Sequence, residues 1–269
     1  MSMQDSTTER RTPSTEPRSA KPEALAQVGL PAEALPHHVA FIMDGNGRWA
    51  KRQGMHRGKG HVEGAKRVRP IMELCSDLGL DAVTFYSFST ENWKREPEEI
   101  QILMGLYVDY LVSQKEDLIA WNMRVLHLGE RDGLPASVTD ALDQVIEATA
   151  HCTGLLVGAA LNYGSRREIV RAVQRIAREV QRGELTPDAI DDATIANHLD
   201  TALMPDPDLL VRTAGEMRVS NYLLWQISYA ELVVEQACWP DYDLAHFTQT
   251  LHAYAGRTRQ FGAIPEHEA

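Results

Sequence analysis

The chain reads as an α/β fold: a single domain with a central, mainly parallel β-sheet flanked by helices. Three observations predict it. Short apolar runs rich in β-branched residues alternate with longer helix-periodic stretches, the pattern of a parallel sheet covered on both faces. At 269 residues and 43% hydrophobic, the chain can bury one large core or two small ones, which argues against global disorder. Several strand candidates end in polar residues, and open α/β sheets bind ligands at the carboxyl ends of their strands.

The elements follow in order. Residues 1–24 are rich in Ser, Thr, Pro, Glu and Arg with almost no large apolar side chains, and read as a disordered tail. Residues 39–43 form a short buried strand that stops at Asp44. A helix is expected over 60–78, where Val62, Ala65, Val68, Met72 and Cys75 share a face, with Pro70 as its weak point. A second strand spans 82–88. The next helix opens at Pro97, with Glu98 and Glu99 beside its positive end, and runs to at least 111. Further strands are expected at 124–128, 155–162, 208–212 and 231–234, with helices near 135–150, 165–182 and 244–257. The domain is taken as 25–262, with 263–269 as a C-terminal tail.

Composition excludes some classes. A net charge of −11 argues against a general nucleic-acid binder, which would be basic. Cys75, Cys152 and Cys238 are far apart without a C-x-x-C pair, which suits a reducing cytosol and offers no zinc site. No run of about 18 apolar residues suggests a membrane span. The polar N-terminus lacks a signal core, so a cytoplasmic location is expected.

The chemistry concentrates after the first strand, at Asp44-Gly45-Asn46-Gly47-Arg48. Two glycines permit a tight turn whose N–H groups can approach an anion, and Arg48 adds a fork of donors suited to phosphate. Asp44 would repel that phosphate unless a divalent cation stood between them, so the stretch predicts a magnesium–diphosphate site. Arg57 and His61, four apart on a helix, share a face beside it; a solvated basic surface is the plainer alternative. A second cluster, Arg212, Arg218 and Ser220 around Gly215, forms a second phosphate pocket or an ordinary polar loop. Glu231 is a solvated strand-end residue or, paired with Asp44, a second magnesium ligand. Asn92 could serve a proton path and Arg95 another oxyanion, or both belong to a polar loop anchored by Trp93. The apolar stripe 100–111 is core packing by default and the wall of a lipid tunnel as the sharper alternative.

Three other motifs compete less well. Gly45-x-Gly47-x-x-Ala50 fits a loose dinucleotide fingerprint, but the second strand ends in Phe88-Ser89-Thr90 without the ribose-binding acid. A phosphohydrolase with Asp44 as nucleophile would want an acid at position 46, where Asn46 stands. Gly54 to Gly60 is one residue short of a phosphate-binding loop, and no Ser or Thr follows Lys59.

Taken together, Asp44-Gly45-Asn46-Gly47-Arg48-Trp49-Ala50, Phe88-Ser89-Thr90-Glu91-Asn92-Trp93, Arg212 to Asn221, Leu223-Leu224-Trp225-Gln226 and Tyr229-Ala230-Glu231 resemble the cis-prenyltransferases, among them bacterial undecaprenyl diphosphate synthases. The resemblance runs from about His37 to Phe261. It implies a homodimer with a hydrophobic tunnel between sheet and helices. The reaction implied is repeated condensation of isopentenyl diphosphate onto an allylic primer such as farnesyl diphosphate, forming cis double bonds and a long-chain product. Mg2+ is the implied cofactor, with Asp44 and Glu231 placing it. Gly45, Asn46, Gly47, Arg48, Arg57 and His61 would hold the allylic diphosphate; Arg212, Arg218 and Ser220 would hold isopentenyl diphosphate. Trp49, Ser89, Thr90, Glu91, Trp93 and Arg95 join the substrate-binding set, and Asn92 joins Asp44 as catalytic. A long polyprenyl product must leave into a bilayer, so peripheral contact with the inner face of the plasma membrane is also implied.

The pattern departs at Met217, where some members carry a His tied to metal binding across the dimer. It departs also at Ala214, where Gly or Ser is common, and at Pro97, two residues past Arg95 instead of directly after the Arg. A non-catalytic member that binds a partner or a polyprenyl lipid is the alternative. Retention of Asp44, Arg48, Arg212, Arg218 and Glu231 favours the enzyme, because charges are costly to gather without use.

Overall fold

The computed structural model describes residues 20–257. Its strands are β1 (His38–Ile42), β2 (Ala82–Ser89), β3 (Arg124–Leu128), β4 (Leu156–Tyr163), β5 (Leu209–Arg212) and β6 (Glu231–Val234). They form one six-stranded sheet in the order β3-β4-β2-β1-β5-β6, and every neighbouring pair is parallel. All five residues of β1 are buried, as a central strand covered on both faces requires. Alternation divides them. Val39 and Phe41 join the larger core, where Phe41 stacks on Phe85 at 5.5 Å and meets Trp239, Tyr242 and Phe247. Ala40 and Ile42 face the opposite side, with Leu210, Tyr163, Tyr222 and Leu223.

The helices are α1 (Pro22–Val28), α2 (Asn46–Arg52), α3 (Arg57–Asp77), α4 (Pro97–Ala120), α5 (Ala136–Thr149), α6 (Ser165–Arg182), α7 (Asp192–Asn197) and α8 (Leu244–Ala255). From β1 the chain moves to one side to make β2, and later returns on the other side as β5. The carboxyl end of β1 is therefore the topological switch point, where such sheets open a crevice. Asp44 stands two residues beyond it.

The expected strands and the main helices are present, and apart from the end of α4 their ends shift by a few residues at most; α3 runs through Pro70 as the expected helix does. Four features differ. Helix α4 extends to Ala120, nine residues past the predicted stripe. Residues 46–52 are a helix, where only a turn was expected, and α7 was not predicted. Residues 22–24, assigned to the tail, open α1 and bury Ala24, so the tail boundary at 24 lies too far in. The rest of that tail and the C-terminal tail at 263–269 lie outside the described residues. No helix among those described is long and apolar enough to cross a membrane.

Candidate active site

The site begins where β1 ends. Gly45 caps α2 with φ +98°, a left-handed conformation that glycine adopts without steric penalty. A Cβ there would also stand 2.8 Å from Ala214 and 2.9 Å from Cys238, so the turn is closed against the loop after β5. The Gly45 N–H donates to Asp44 Oδ1 at 2.7 Å and fixes the carboxylate. Helix α3 then packs on this turn at closest range through Gly60, where a Cβ would lie 2.0 Å from the Asn46 carbonyl oxygen.

One cationic cluster gathers at Asp44. Arg212, at the end of β5 and level with Ile42, donates to Asp44 Oδ2 at 2.8 Å and to Ser220 Oγ at 2.7 Å. It also donates to the Arg218 carbonyl, while its Nε is buried without a partner among the described residues. Arg48 stands 3.4 Å from Asp44 Oδ1 and pairs with Glu216 Oε1 at 2.9 Å; Arg218 pairs with Glu216 as well. Three guanidinium groups thus face two carboxylates, leaving the cluster cationic. Burial pushes the Asp44 carboxyl up, but the hydrogen bond and charge of Arg212 outweigh it and hold the group below its usual range.

The loop that carries Arg218 and Ser220 is strained. Ala214, Ser220, Asn221 and Leu223 all have positive φ, each costing roughly 1–2 kcal/mol for a residue with a Cβ. Packing and hydrogen bonds hold them there. Tyr222 and Leu223 are fully buried, Ala214 N–H donates to the Ala237 carbonyl at 2.7 Å, and Asn221 bonds Glu91 and the Arg166 N–H.

The second cluster sits across the mouth, on α3 and the start of α4. Glu99, 5% exposed, accepts from Arg95 Nη1 at 2.9 Å. Its carboxylate also meets His61 Nε2 at 3.1 Å and Arg57 Nε at 3.3 Å. The Arg57 guanidinium lies against the Gly45–Arg48 turn: a Cβ on Gly47 would stand 3.1 Å from it. Burial raises the Glu99 carboxyl, but His61, Arg95 and Arg57 pull it below its ordinary value. His61 is shifted down, by burial first and by the neighbouring arginines, against the pull of Glu99. At neutral pH the imidazole is therefore uncharged, and two guanidiniums face one carboxylate.

Both clusters line one cavity of about 750 Å³. Its rim is polar, from Asp44 to Ser220, and its depth is apolar, with Val68, Met72, Phe85, Leu111, Leu118, Val125 and Val157. The cavity lies between the sheet and the facing sides of α3 and α4.

Of the residues expected at the site, Asp44, Gly45, Asn46, Gly47, Arg48, Arg57, His61, Ser89, Glu91, Asn92, Arg95, Arg212, Arg218 and Ser220 all line this cavity. Four expected residues do not. Trp49 Nε1 donates outward to Asp241 at 2.7 Å. Thr90 packs against Gly164, where a Cβ would meet its Oγ1 at 2.7 Å. Trp93 packs on Phe88 and donates to Asn162 Oδ1 at 2.8 Å, so it supports the Thr90–Lys94 turn from behind. Asn92 does line the cavity, yet its carbonyl oxygen is engaged by the Ser89 N–H at 3.1 Å, so it caps its own turn. Glu231 opens β6 in register with Leu209, at the amino-terminal edge of the sheet, and pairs with Arg257 at 2.6 Å. Asp44 lies beyond the opposite edge, some 15 Å away along the strands at about 3.3 Å per residue. Within one chain Glu231 therefore lies apart from Asp44.

The sequence singles out neither Glu99 nor Glu216. There Glu99 reads as a helix-start acid, and its spacing of four from Arg95 is the available signal. Among the described residues no three His, Cys, Asp or Glu side chains come together as a metal cluster. Asp44 faces the cavity beside the Gly45–Arg48 turn. That donor set fits Mg2+, which binds through one or two carboxylates plus substrate phosphates instead of an all-protein cage.

Comparison with known proteins agrees with this geometry. Residues 42–262 match the Prenyltransf family, described as undecaprenyl diphosphate synthase. An isoprenyl transferase of Shouchella clausii is 46% identical over 230 residues, covering 86% of this chain and 90% of the relative. A ditrans,polycis-undecaprenyl-diphosphate synthase of Lactiplantibacillus plantarum, specific for (2E,6E)-farnesyl diphosphate, is 47% identical over 250 residues, covering 92% and 96%. Among solved structures, lavandulyl diphosphate synthase from Lavandula x intermedia, in complex with dimethylallyl diphosphate, superposes with a TM-score of 0.83 at 35% identity, covering 86% of this chain and 99% of that one. A probable undecaprenyl diphosphate synthase from Campylobacter jejuni gives 0.70 at 31% identity, covering 84% and 98%. With the family matched over most of its length, and its charged motifs gathered around one cavity, the chain belongs to the undecaprenyl diphosphate synthase family of cis-prenyltransferases.

Proposed function

We propose that this protein condenses isopentenyl diphosphate repeatedly onto farnesyl diphosphate and releases a long-chain cis-polyprenyl diphosphate, undecaprenyl diphosphate. One observation carries the reading. Two separate cationic clusters, each with more guanidinium than carboxylate, flank Asp44 at the mouth of an apolar cavity of about 750 Å³. Two polyanionic substrates need two such pockets, and their tails need an apolar conduit.

In each round the allylic carbon–oxygen bond breaks, a carbon–carbon bond forms to isopentenyl diphosphate, and a proton is lost. The residues mainly position and stabilise charge. Gly45 to Arg48, with Arg57 and His61, hold the allylic diphosphate; Arg212, Arg218 and Ser220 hold isopentenyl diphosphate. Asp44, with substrate phosphates, would hold Mg2+, which neutralises charge on the departing diphosphate. The apolar depth of the cavity takes the growing chain. The active unit is a homodimer. Support comes from Met217 and Tyr229, 83% and 73% exposed beside the edge strand β6, and from exposed Leu232 on that strand.

The test is incorporation of labelled isopentenyl diphosphate onto farnesyl diphosphate, with magnesium or chelator, with products dephosphorylated and sized. A magnesium-dependent product of eleven isoprene units is expected. No incorporation by folded protein would overturn the reading in favour of a binding-only member.

A further inference from the structure

Residues 45–62 contain no Asp or Glu, in a protein whose 38 acids outnumber its 27 Lys and Arg. The acid-free stretch covers α2, the first turns of α3 and the tip between them. Residues 51–57 are all exposed. The tip is convex: Gly54 has φ +68°, and a Cβ on it would meet nothing within 4 Å. Met55, next in sequence, is 48% exposed with no polar atom to account for it. Around it stand Lys51, Arg52, His56 and Lys59. Arg48 and Arg57 are engaged by carboxylates of the site, and Arg52 donates to Cys238 Sγ at 3.2 Å. Lys51 and Lys59 make no ion pair among the described residues.

This tip adjoins the cavity. Arg57, two residues past Met55, lines the mouth, and Ile102 of α4 packs on Gly58, where a Cβ would stand 2.7 Å from it. Nearby acids are accounted for: Glu63 pairs with Lys66, Glu99 with Arg57 and Arg95, and Asp241 accepts from Trp49. Glu96 and Glu98 are exposed at the start of α4.

We propose that the α2–α3 tip, Met55 flanked by Lys51, Arg52 and Lys59, docks the protein on an anionic lipid bilayer with the cavity mouth at the membrane surface. Charge complementarity carries it. The remaining acidic surface does not prevent approach, because charges more than about 8 Å from the bilayer are screened at physiological salt. Juxtamembrane Lys and Arg bind anionic leaflets, and an apolar side chain between them inserts at the headgroup level. The placement rests on the proposed function only for its purpose, delivery of an apolar product; the binding itself does not require catalysis.

The experiment is flotation of the full chain with phosphatidylcholine vesicles, with and without phosphatidylglycerol. Binding is expected only to the anionic vesicles and should fall on moving from 0.1 M to roughly 1 M salt. The double variant Lys51→Glu/Lys59→Glu should bind at least about 20-fold more weakly, taking roughly fivefold for each lysine lost. Met55→Asp should weaken binding severalfold at unchanged salt dependence. Turnover with farnesyl diphosphate in solution should be unchanged in both, which verifies folding; Lys51→Gln/Lys59→Gln gives the same readout with a milder change. Equal binding to neutral vesicles, no vesicle binding, or wild-type binding by the variants would overturn the proposal. An inactive protein that still binds anionic vesicles through these lysines would instead overturn the enzymatic reading and keep the docking surface.

Discussion

The two cationic clusters at the cavity mouth are built in opposite ways. The one formed by Arg57, His61 and Arg95 sits on helices α3 and the approach to α4, and a single buried carboxylate, Glu99, holds all three. Helical spacing places these groups without backbone strain, apart from the close packing of α3 on the phosphate turn. The cluster formed by Arg48, Arg212 and Arg218 hangs on a strand end and an irregular loop, with four non-glycine residues at positive φ and two carboxylates, Asp44 and Glu216. The difference teaches that net charge is similar in the two pockets while rigidity has different sources: regular secondary structure in one, buried loop packing in the other. The first should tolerate substitution of its charged residues as a change in binding; the second should respond in stability as well.

The largest effect is expected at Asp44. Asp44→Asn should lower turnover by about 10²–10³-fold, the scale seen when one group that stabilises charge in the transition state is removed. Thermal unfolding should show the chain still folded, and near-normal turnover would remove Asp44 from the metal. Next comes the contrast itself. Glu99→Ala frees two guanidiniums and an imidazole at once, and misplacement by about 1 Å can cost 10²-fold, so kcat/KM for the allylic primer should fall by up to that factor. The KM for isopentenyl diphosphate should change far less. Equal effects on both substrates would break the assignment of one cluster to each.

A smaller effect lies in pH. The folded His61 pKa is lowered from 6.5, so the unfolded chain binds more protons in the window just below that value. Stability contributed by neutral His61 is complete above 6.5 and is lost as pH falls toward the folded value. His61→Gln should flatten that limb in denaturant melts taken from about pH 7 to 5. Asp44 and Glu99 titrate in the opposite chemical sense but the same direction: both folded pKa values are depressed, so their contribution is present above the usual carboxylate range and lost as pH falls through the folded values. The smallest effect tests the strained loop. Ala214, at φ +69°, stands where glycine would fit without penalty, and Ala214→Gly should raise stability by about 0.5–1 kcal/mol, the relief of strain less the added freedom of the unfolded chain. No gain would mean that the loop relaxes around the alanine.

Legibility followed the range of the interactions. The strands could be read because each is a local apolar run, and the rim because Asp44, Arg48 and Arg212 directly follow or end such runs. Trp49 and Trp93 were drawn into the substrate set by neighbourhood in a motif, but a residue adjacent in sequence points elsewhere: the first toward Asp241, the second toward Asn162. Glu99 was invisible as a hub because two of its three partners lie about forty residues away, on α3.

By itself the sequence determined the α/β class, the order of its strands and main helices, and the two groups of cationic residues, because periodicity and strand-end chemistry are local properties. Only the tertiary structure decided which carboxylates meet the cationic residues within one chain. Sheet order and register put Asp44 and Arg212 at one edge and Glu231 at the other, and the packing of α4 against α3 brought Glu99 to Arg57 and His61. Those relations depend on pairings between distant segments, which no short window of residues encodes.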